Sequence, residues 1–248
     1  MDFQNEKIHT KITIQDVRTW GDEQYKKDVP GVGIYEAWAE MFLCKDLSLR
    51  VGRQELSYDN ERLFTRDNWV QQGGPHNAGL LKYSKNSISI DYTSAFNQNA
   101  DDHYFGTTYP GFPRTYKVLN MLYLVDEIKE NFKISLMAVH DGFQGTLNPD
   151  KTYFRKTGGV IIDLNKENPF SITMRSFFQS GRLPDGQEID AKYFNLHLKY
   201  NFSDKHSIVL GIDYISGNDQ KDTANKKSNS FNFLYGSGHS FNGNMEYF

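Results

Sequence analysis

The sequence predicts an all-β protein, an antiparallel up-and-down transmembrane β-barrel. Two observations predict this fold class. Segments in which apolar and polar residues alternate recur along the chain, which is the pattern of strands whose two faces meet different surroundings. The links between these segments alternate between tight turns and longer loops, so that all tight turns fall at one edge of the sheet. Bacterial outer-membrane barrels have this asymmetry, with short periplasmic turns and longer extracellular loops.

The links divide the chain into about twelve strands, an even number of the kind that such barrels have. The tight links are polar and are flanked by residues of strand character. They are residues 45–46, 85–86, 130–131, 165–169 and 203–206. The longer links are residues 21–32, 59–77, 98–116, 145–151, 181–190 and 217–230.

The faces of five strands support a barrel in lipid, which requires an apolar outer row and a more polar inner row. Their apolar rows begin at Tyr35, Ile88, Phe170, Phe194 and Ile208, and the residues between the members of each row are mostly polar. Two segments, residues 118–126 and 158–164, are apolar on both rows. We interpret them as places where the lumen is locally packed, although the core of a soluble protein explains them equally well.

Composition limits the classes of protein that are compatible with the chain. With 248 residues, 38% hydrophobic content and a mean hydropathy of -0.65, the sequence has no helix of about 20 apolar residues that could span a bilayer. A net charge of -3 and the lack of a basic stripe argue against a nucleic-acid partner. Aromatic residues near strand ends either form an interfacial girdle or reflect the preference of aromatics for strands. They are Tyr35, Tyr58, Tyr92, Tyr116, Tyr200 and Tyr214.

Both ends of the chain look interrupted. Residues 1–7 have neither the basic nor the apolar region of a secretory signal, and Phe248 shares its row with polar residues. We therefore expect residues 1–248 to form a single but incomplete barrel domain, without its signal peptide and closing strands. The single cysteine, Cys44, excludes an internal disulfide framework, and no feature predicts the oligomeric state.

Several segments resemble the alginate export family of outer-membrane β-barrel porins, in its Bacteroidetes-type form. The main one is VGRQELSYD at 51–59, followed by RL at 62–63 and RDNW at 66–69. QDVRTWG at 15–21, EAW at 36–38 and FNFLYG at 231–236 agree with it. The family-motif candidates are Arg53, Gln54, Glu55, Arg62, Arg66, Asp67 and Trp69.

The resemblance implies a porin-like channel in the bacterial outer membrane. In the member after which the family is named, an anionic uronic-acid polysaccharide passes through a basic lumen. Here the Gly-Arg pair and acidic residue that follow the tryptophan in the family are replaced by GGPHN at 73–77. Lipid and hydrophilic or anionic saccharide solutes are the expected partners, and loss of the basic residue weakens alginate as the specific substrate.

The inner rows supply the pore-lining candidates, since charged side chains on a pore wall set its selectivity. They are Glu36, Glu40, Arg50, Lys82, Asp91, Arg175, His197 and Lys199. Asp163 and Asp213 lie on the same rows. This mixture of charges predicts either a polar channel without strong anion preference or a charge-paired wall that partly fills the lumen.

Arg53 and Glu55 conflict with the simple pattern, because they share a row with Leu49 and Val51, which should face lipid. A charge at mid-membrane costs about 2–4 kcal/mol. We expect a bulge near Gly52 to turn both side chains inward, toward Arg62, Arg66 and Asp67. The alternative is an exposed ion pair above the apolar band.

No constellation indicates an enzyme, a metal site or a cofactor. The seven histidines have no metal-ligand spacing, and Glu36 and Glu40 lie too far apart along one strand for a retaining glycosidase pair. The sequence thus predicts a passive channel or exporter. Two alternatives remain open, a soluble β-sandwich that binds carbohydrate and a non-conducting outer-membrane scaffold or adhesin.

Overall fold

The computed structural model describes residues 1–16, 32–66, 74–97, 116–165, 169–219, 227–237 and 239–242. These residues form β-strands almost throughout. The strands are β1 (Asp2–Gln4), β2 (Ile8–Asp16), β3 (Val32–Cys44), β4 (Leu47–Gln54), β5 (His76–Lys85), β6 (Ile88–Phe96), β7 (Val118–Lys129), β8 (Phe132–Gln144), β9 (Thr152–Leu164), β10 (Phe170–Arg182), β11 (Glu188–Ser203), β12 (His206–Ile215) and β13 (Lys227–Ser228). A one-turn helix, α1, spans His239–Asn242. No helix among the described residues is long and apolar enough to cross a bilayer.

The strand order confirms the predicted all-β, up-and-down architecture. Strands β1 to β12 follow one another in the sheet in chain order, as the walls of up-and-down barrels do. The turns at 45–46 and 130–131 lie where the sequence places them, and the turn after β5 is one residue later, at 86–87. All these turns lie at one edge of the sheet, which we call the turn edge, and the other edge is the loop edge.

Two links differ from the sequence prediction. The link predicted at residues 181–190 is only five residues long, because β10 continues to Arg182 and β11 begins at Glu188. Gly181 and Gly186 adopt positive φ angles there, which closes the hairpin tightly. The second difference is β13, which pairs in parallel with β11 at residues 188–189 and does not continue the antiparallel order after residues 217–230.

The chain divides into two compact units, residues 1–81 with 232–248 and residues 82–231. In the first unit, β1 to β4 pair antiparallel, and Tyr35 is an extra residue in β3 where the β2–β3 register shifts. In the second unit, β6 to β12 pair antiparallel, and the register shifts lie near the turn edge, at residues 126–129 and 201–203.

Most strands expose an apolar outer row and bury much of their inner row, whereas β12 is exposed on both rows. Phe178, Phe194, Leu210 and Ile212 on the outer rows of β10 to β12 are 38–69% exposed. A soluble sandwich with Phe194 packed inside is therefore not favoured. An apolar row that remains exposed on successive strands is instead what a barrel presents to lipid.

The two segments that were apolar on both rows follow the same rule. In β7, Leu119 and Met121 are fully buried on the inner row, whereas Leu122 is exposed on the outer row. In β9, Ile161 is buried on the inner row. The inner face is thus closely packed at these positions.

The tyrosines considered for an aromatic girdle have different surroundings. Tyr92, Tyr200 and Tyr214 are exposed on outer rows. Tyr58 and Tyr116 are buried, because they lie in the packed links beyond the ends of β4 and before β7. The hydroxyl of Tyr35 donates a hydrogen bond to Glu55 and so belongs to a polar cluster.

Two adjacent glycines in β9 show how tightly the inner face is packed. A Cβ atom on Gly159 would overlap the ring of Phe177 and the carbonyl oxygen of Ser176, on the paired strand β10. A Cβ atom on Gly158, which faces outward, would meet no atom within 4 Å. The ring of Phe177 therefore fills the space that a side chain at position 159 would need.

We expect Gly159→Ala to lower the free energy of unfolding by about 1–3 kcal/mol, because overpacking forces the Phe177 ring or the backbone to move. Gly158→Ala is the matched control and should be neutral or stabilise by up to about 1 kcal/mol. Denaturant unfolding of the protein in lipid vesicles measures both. Equal stability of the two variants would contradict the proposed packing.

Candidate channel wall and loop cluster

The pore-lining candidates all lie on the inner rows of their strands. Glu36 and Glu40 are 4% and 3% exposed, and the other six candidates are partly exposed. Lys82 shares its row in β5 with buried Ala78 and Leu80, and Asp91 shares its row in β6 with buried Thr93. Because side chains alternate between faces along a strand, each of these rows lies on one face of the sheet, where polar and apolar side chains are mixed.

Glu36 in the first unit is surrounded by donors from two strands. The ammonium group of Lys11 lies 2.6 Å from its Oε2 atom. The indole nitrogen of Trp38 donates to Oε1 at 3.1 Å, and the hydroxyl of Thr13 donates to Oε2 at 3.2 Å. One cation and two neutral donors thus compensate the carboxylate for the loss of water.

Glu40 has a similar set of partners and lies four residues further along β3, closer to the turn edge. Arg50 lies directly opposite on β4 and donates to Oε2 from Nε at 2.9 Å and from Nη2 at 2.6 Å. The hydroxyl of Ser48 donates to Oε1 at 2.6 Å. The guanidinium of Arg50 also lies 4.0 Å from the ring centre of Trp38, a cation–π distance.

Asp163 is the corresponding carboxylate in the second unit. Lys133 on β8 lies 3.1 Å from Oδ2, and the hydroxyl of Thr173 on β10 donates to Oδ1 at 2.7 Å. On the next rung, Arg175 donates to the amide oxygen of Asn195 at 2.9 Å. Acid and base on neighbouring strands are therefore paired here too.

The most deeply buried ion pair of the wall, Asp141 with Arg155, was not among the sequence candidates. Two hydrogen bonds join them, at 3.1 Å from Nε and 2.5 Å from Nη2, and Asp141 is fully buried. The signal was present in the sequence, because the inner row of Asp163 and Ile161 reaches Arg155 when it is extended by steps of two residues.

Opposite charges are paired between neighbouring strands on the inner rows. In the first unit Lys11 and Arg50 face Glu36 and Glu40. In the second unit the pairs are Lys133 with Asp163 and Arg155 with Asp141. The geometry is that of a charge-paired wall, since each of these carboxylates has a cation within salt-bridge distance.

Residues 55–66 and 232–242, which we call the loop cluster, contain several family-motif candidates. Leu63 and Phe64 are buried, and Phe64 pairs with Tyr235 through a parallel β-bridge. The amide of Tyr235 donates to the carbonyl of Leu63, and the amide of Thr65 donates to the carbonyl of Tyr235. A Cβ atom on Gly236 would overlap the carbonyl of Arg62, so the two segments are in direct backbone contact.

The two motif arginines of the loop cluster have different surroundings. The buried guanidinium of Arg62 lies 4.8 Å from the ring centre of Phe233 and 4.7 Å from that of Phe241. Arg66 is exposed and pairs with Glu61 at 2.9 Å, while its carbonyl accepts a hydrogen bond from Tyr35. Tyr35 thus connects Glu55 to Arg66.

Hydrogen bonds lower the pKa of the Glu61 carboxyl below its ordinary value. The largest cause is the hydroxyl of Ser57, which donates to it at 2.7 Å, followed by hydrogen bonding and charge attraction from Arg66 and a weaker bond from Thr65. Partial burial opposes the shift. The same pairing raises the pKa of Arg66.

The expected bulge at Gly52 is wrong. The β3–β4 register continues through Gly52 and Arg53 without a shift, and the irregularity lies at residues 42–44. Gly52 has a φ angle of 133°, and a Cβ atom there would overlap the backbone of Ala37 and Trp38, so close approach of the strands explains the glycine. The pairing keeps Arg53 on the outer row, opposite Ala37.

Gln54 is fully buried at the end of β4 and donates to the carbonyl of Ala78 at 2.9 Å. It therefore ties the loop edge of β4 to β5. The motif candidates Asp67 and Trp69 lie outside the described residues. Among the residues that the structure describes, no three His, Cys, Asp or Glu side chains come close enough to hold a metal ion.

Comparison with protein families identifies the relationship that the motifs suggested. The family model described as alginate export matches residues 2–248. The chain belongs to the alginate export family. Its location is the bacterial outer membrane. No curated protein matches the chain in sequence.

Solved structures of Pseudomonas aeruginosa outer-membrane porins share the fold. OpdL has a TM-score of 0.54 at 13% identity, with 84% of this chain and 54% of that chain covered. OpdQ has a TM-score of 0.52 at 12% identity, with 87% and 55% covered. OccK11 (OpdR) has a TM-score of 0.53 at 14% identity, with 75% and 49% covered. The chain spans about half the length of these porins.

We expect Arg50→Met to lower the free energy of unfolding by about 3 kcal/mol, because it leaves the buried carboxylate of Glu40 without its cation. Arg182→Met is the matched control. It removes an exposed pair with Glu188 and should change stability by less than about 1 kcal/mol. Denaturant unfolding in lipid vesicles compares the two, and equal losses would contradict a special role for the buried pair.

Protonation of Glu61 should weaken the loop cluster in acid. Because the pKa of Glu61 is lower in the folded protein, its stabilising effect is present above the ordinary glutamate pKa of about 4.5 and is lost as the pH falls through the folded-state pKa. Glu61→Gln should therefore lower the melting temperature at pH 7 and have no such effect at pH 3. A difference between wild type and variant that is equal at both pH values would contradict this account.

Proposed function

We propose that the protein is a non-enzymatic outer-membrane channel for hydrophilic solutes, with saccharides as the substrate class. The observation that carries the proposal is the contrast between the two faces of the strands. The outer rows expose large apolar side chains, while the inner rows hold charged and amide side chains in hydrogen-bonded pairs. A polar inner wall replaces part of the hydration that a solute loses in a narrow passage.

The charge pairing of the wall supports a polar channel with weak charge selectivity. Carboxylates such as Glu40 and Asp163 have salt-bridged cations, so they contribute little net charge. His197 and Lys199 on β11, beside Arg175 on β10, form the most basic stretch of the inner rows in the second unit. Passage of an anionic polysaccharide such as alginate rests on family membership together with this basic stretch.

A non-conducting scaffold is the second candidate. It is favoured by an apolar patch on the inner rows of β7 and β8, where Leu119, Met121, Met137 and Val139 are at most 3% exposed. These side chains are packed against other residues and make this part of the inner face apolar. Conductance of the full-length protein separates this candidate from a channel.

We expect the full-length protein to conduct ions in planar bilayers and Arg175→Glu to shift its reversal potential toward cation preference, because the substitution reverses one charge on the inner wall. Lys192→Glu is the matched control, since Lys192 lies on the outer row opposite Phe178. Addition of polyuronate on one side should reduce the current of the wild type.

The outcomes separate the candidates. A conducting protein whose reversal potential is unchanged by Arg175→Glu would contradict the assignment of the inner face. Absence of conductance from a correctly folded protein would favour the scaffold. If the protein conducts but polyuronate does not reduce the current, the channel proposal stands and polyuronates are excluded as its substrates.

A further inference from the structure

The outer face of the second unit contains an open groove of about 530 Å³. Its floor is formed by Ala138 on β8 and Gly158 on β9, which are directly paired. Leu122 lies on one side of the floor and Phe178 on the other, each on the next strand. Because Ala138 and Gly158 are small and their neighbours Leu122 and Phe178 are large, the outer face has a depression at Ala138 and Gly158.

Sequence accounts for this depression locally. The outer rows of β8 to β10 carry large side chains such as Leu136, Ile162 and Phe178, and the groove lies where this series is interrupted. A Cβ atom on Gly158 would meet nothing within 4 Å, so no side chain of the described residues fills the space above it. The groove is therefore apolar, open and directed away from the inner wall.

The rim of the groove on the loop side is polar. Four paired residues on successive strands form this rim, each two residues closer to the loop edge than the row of the floor. They are Asn120, His140, Lys156 and Ser180. The hydroxyls of Tyr92 and Ser94 both donate to the amide oxygen of Asn120 at 3.1 Å. Its amide nitrogen is consequently the part of Asn120 that can donate to a ligand.

The position of the rim coincides with the border of the apolar band. On β8 the outer row runs from Phe132 through Ile134 and Leu136 to Ala138 and then changes to His140. On β10 it carries Met174, Ser176 and Phe178 and then changes to polar Ser180 and charged Arg182. Lys156 and His140 therefore lie at the height where lipid headgroups meet acyl chains, in the leaflet at the loop edge.

We propose that this groove binds one anionic lipid, with an acyl chain on Ala138 and Gly158 and a phosphate at Lys156, His140 and the amide nitrogen of Asn120. The groove-lining residues among those described include no Asp or Glu, so the charge of the rim complements a phosphate. Binding a lipid on the outer face goes beyond the transport of solutes and does not depend on it.

A second copy of the chain fits this surface less well. A symmetric dimer would use the same patch on both subunits, which would bring two copies of Lys156 and His140 toward each other. Like charges brought together at an interface are unfavourable. An anionic lipid instead neutralises Lys156 and fills the apolar floor at the same time.

Native mass spectrometry of the full-length protein in detergent tests the proposal, with phosphatidylglycerol and phosphatidylcholine of identical acyl chains as probes. Wild type should retain phosphatidylglycerol at least tenfold more tightly than phosphatidylcholine. Lys156→Glu should abolish most of this preference, and Gly158→Leu, which fills the groove, should weaken retention of both lipids. Gly158→Ala and Lys129→Glu, a charge reversal near the turn edge, are the matched controls and should behave as wild type.

Three results would overturn the proposal. The first is equal retention of the two lipids by wild type, and the second is a preference that survives Lys156→Glu. The third is a wild-type dimer that Gly158→Leu converts to a monomer, which would assign the groove to a protein interface. Circular dichroism of each variant establishes that it has folded, and Lys156→Glu by itself tests the headgroup contact if Gly158→Leu does not fold.

Discussion

Lipid on one face of each strand is the constraint on which the rest of this structure depends. Strands β2 to β12 must expose apolar side chains outward, so nearly all charged residues of the strands are confined to the inner rows or to the strand ends. Charges confined to one enclosed surface cannot remain unpaired without a high cost in free energy. The pairs Lys11–Glu36 and Arg50–Glu40 in the first unit and the pair Arg155–Asp141 in the second follow from this confinement.

The inner face combines two kinds of packing within the second unit. Ion pairs such as Lys133–Asp163 occupy part of the inner rows, and apolar or aromatic contacts such as Phe177 on Gly159 occupy the rest. The ring of Phe177 also stacks near Tyr193, whose hydroxyl donates to Asp213. Aromatic and polar contacts therefore lie on the same rungs of the inner face.

Much of the fold could be predicted from the sequence, because the period of two residues reports which face of a strand meets lipid. Glu36, Arg50 and Arg175 were assigned to the correct rows on that basis alone. The pattern fails where backbone conformation decides the outcome. A glycine such as Gly52 is compatible both with a bulge and with the close approach of two strands, and the sequence does not distinguish the two. The tight hairpin after Arg182 depends on positive φ angles at two glycines.

Contacts of the candidate site were harder to predict than its faces. The alternation of apolar and polar residues assigns strand residues to a face, but it gives no information on which loop segments contact each other. The packing of residues 55–66 against 232–242 therefore had no sequence signal beyond the shared family motifs. Tyr58 was one candidate for an aromatic girdle, but it is buried against Phe64 within its own link.

The loop cluster also has a consequence for the order of assembly. Every strand pairing within the two units except that of β13 joins neighbours in the chain, and such hairpins close short loops at low entropic cost. The bridge from Phe64 to Tyr235 instead joins segments that are 171 residues apart in the sequence. Contacts between residues far apart in the sequence form slowly. We therefore infer that the aromatic and glycine contacts around Phe64 form after the strands have paired, and that they stabilise the sheet late in folding.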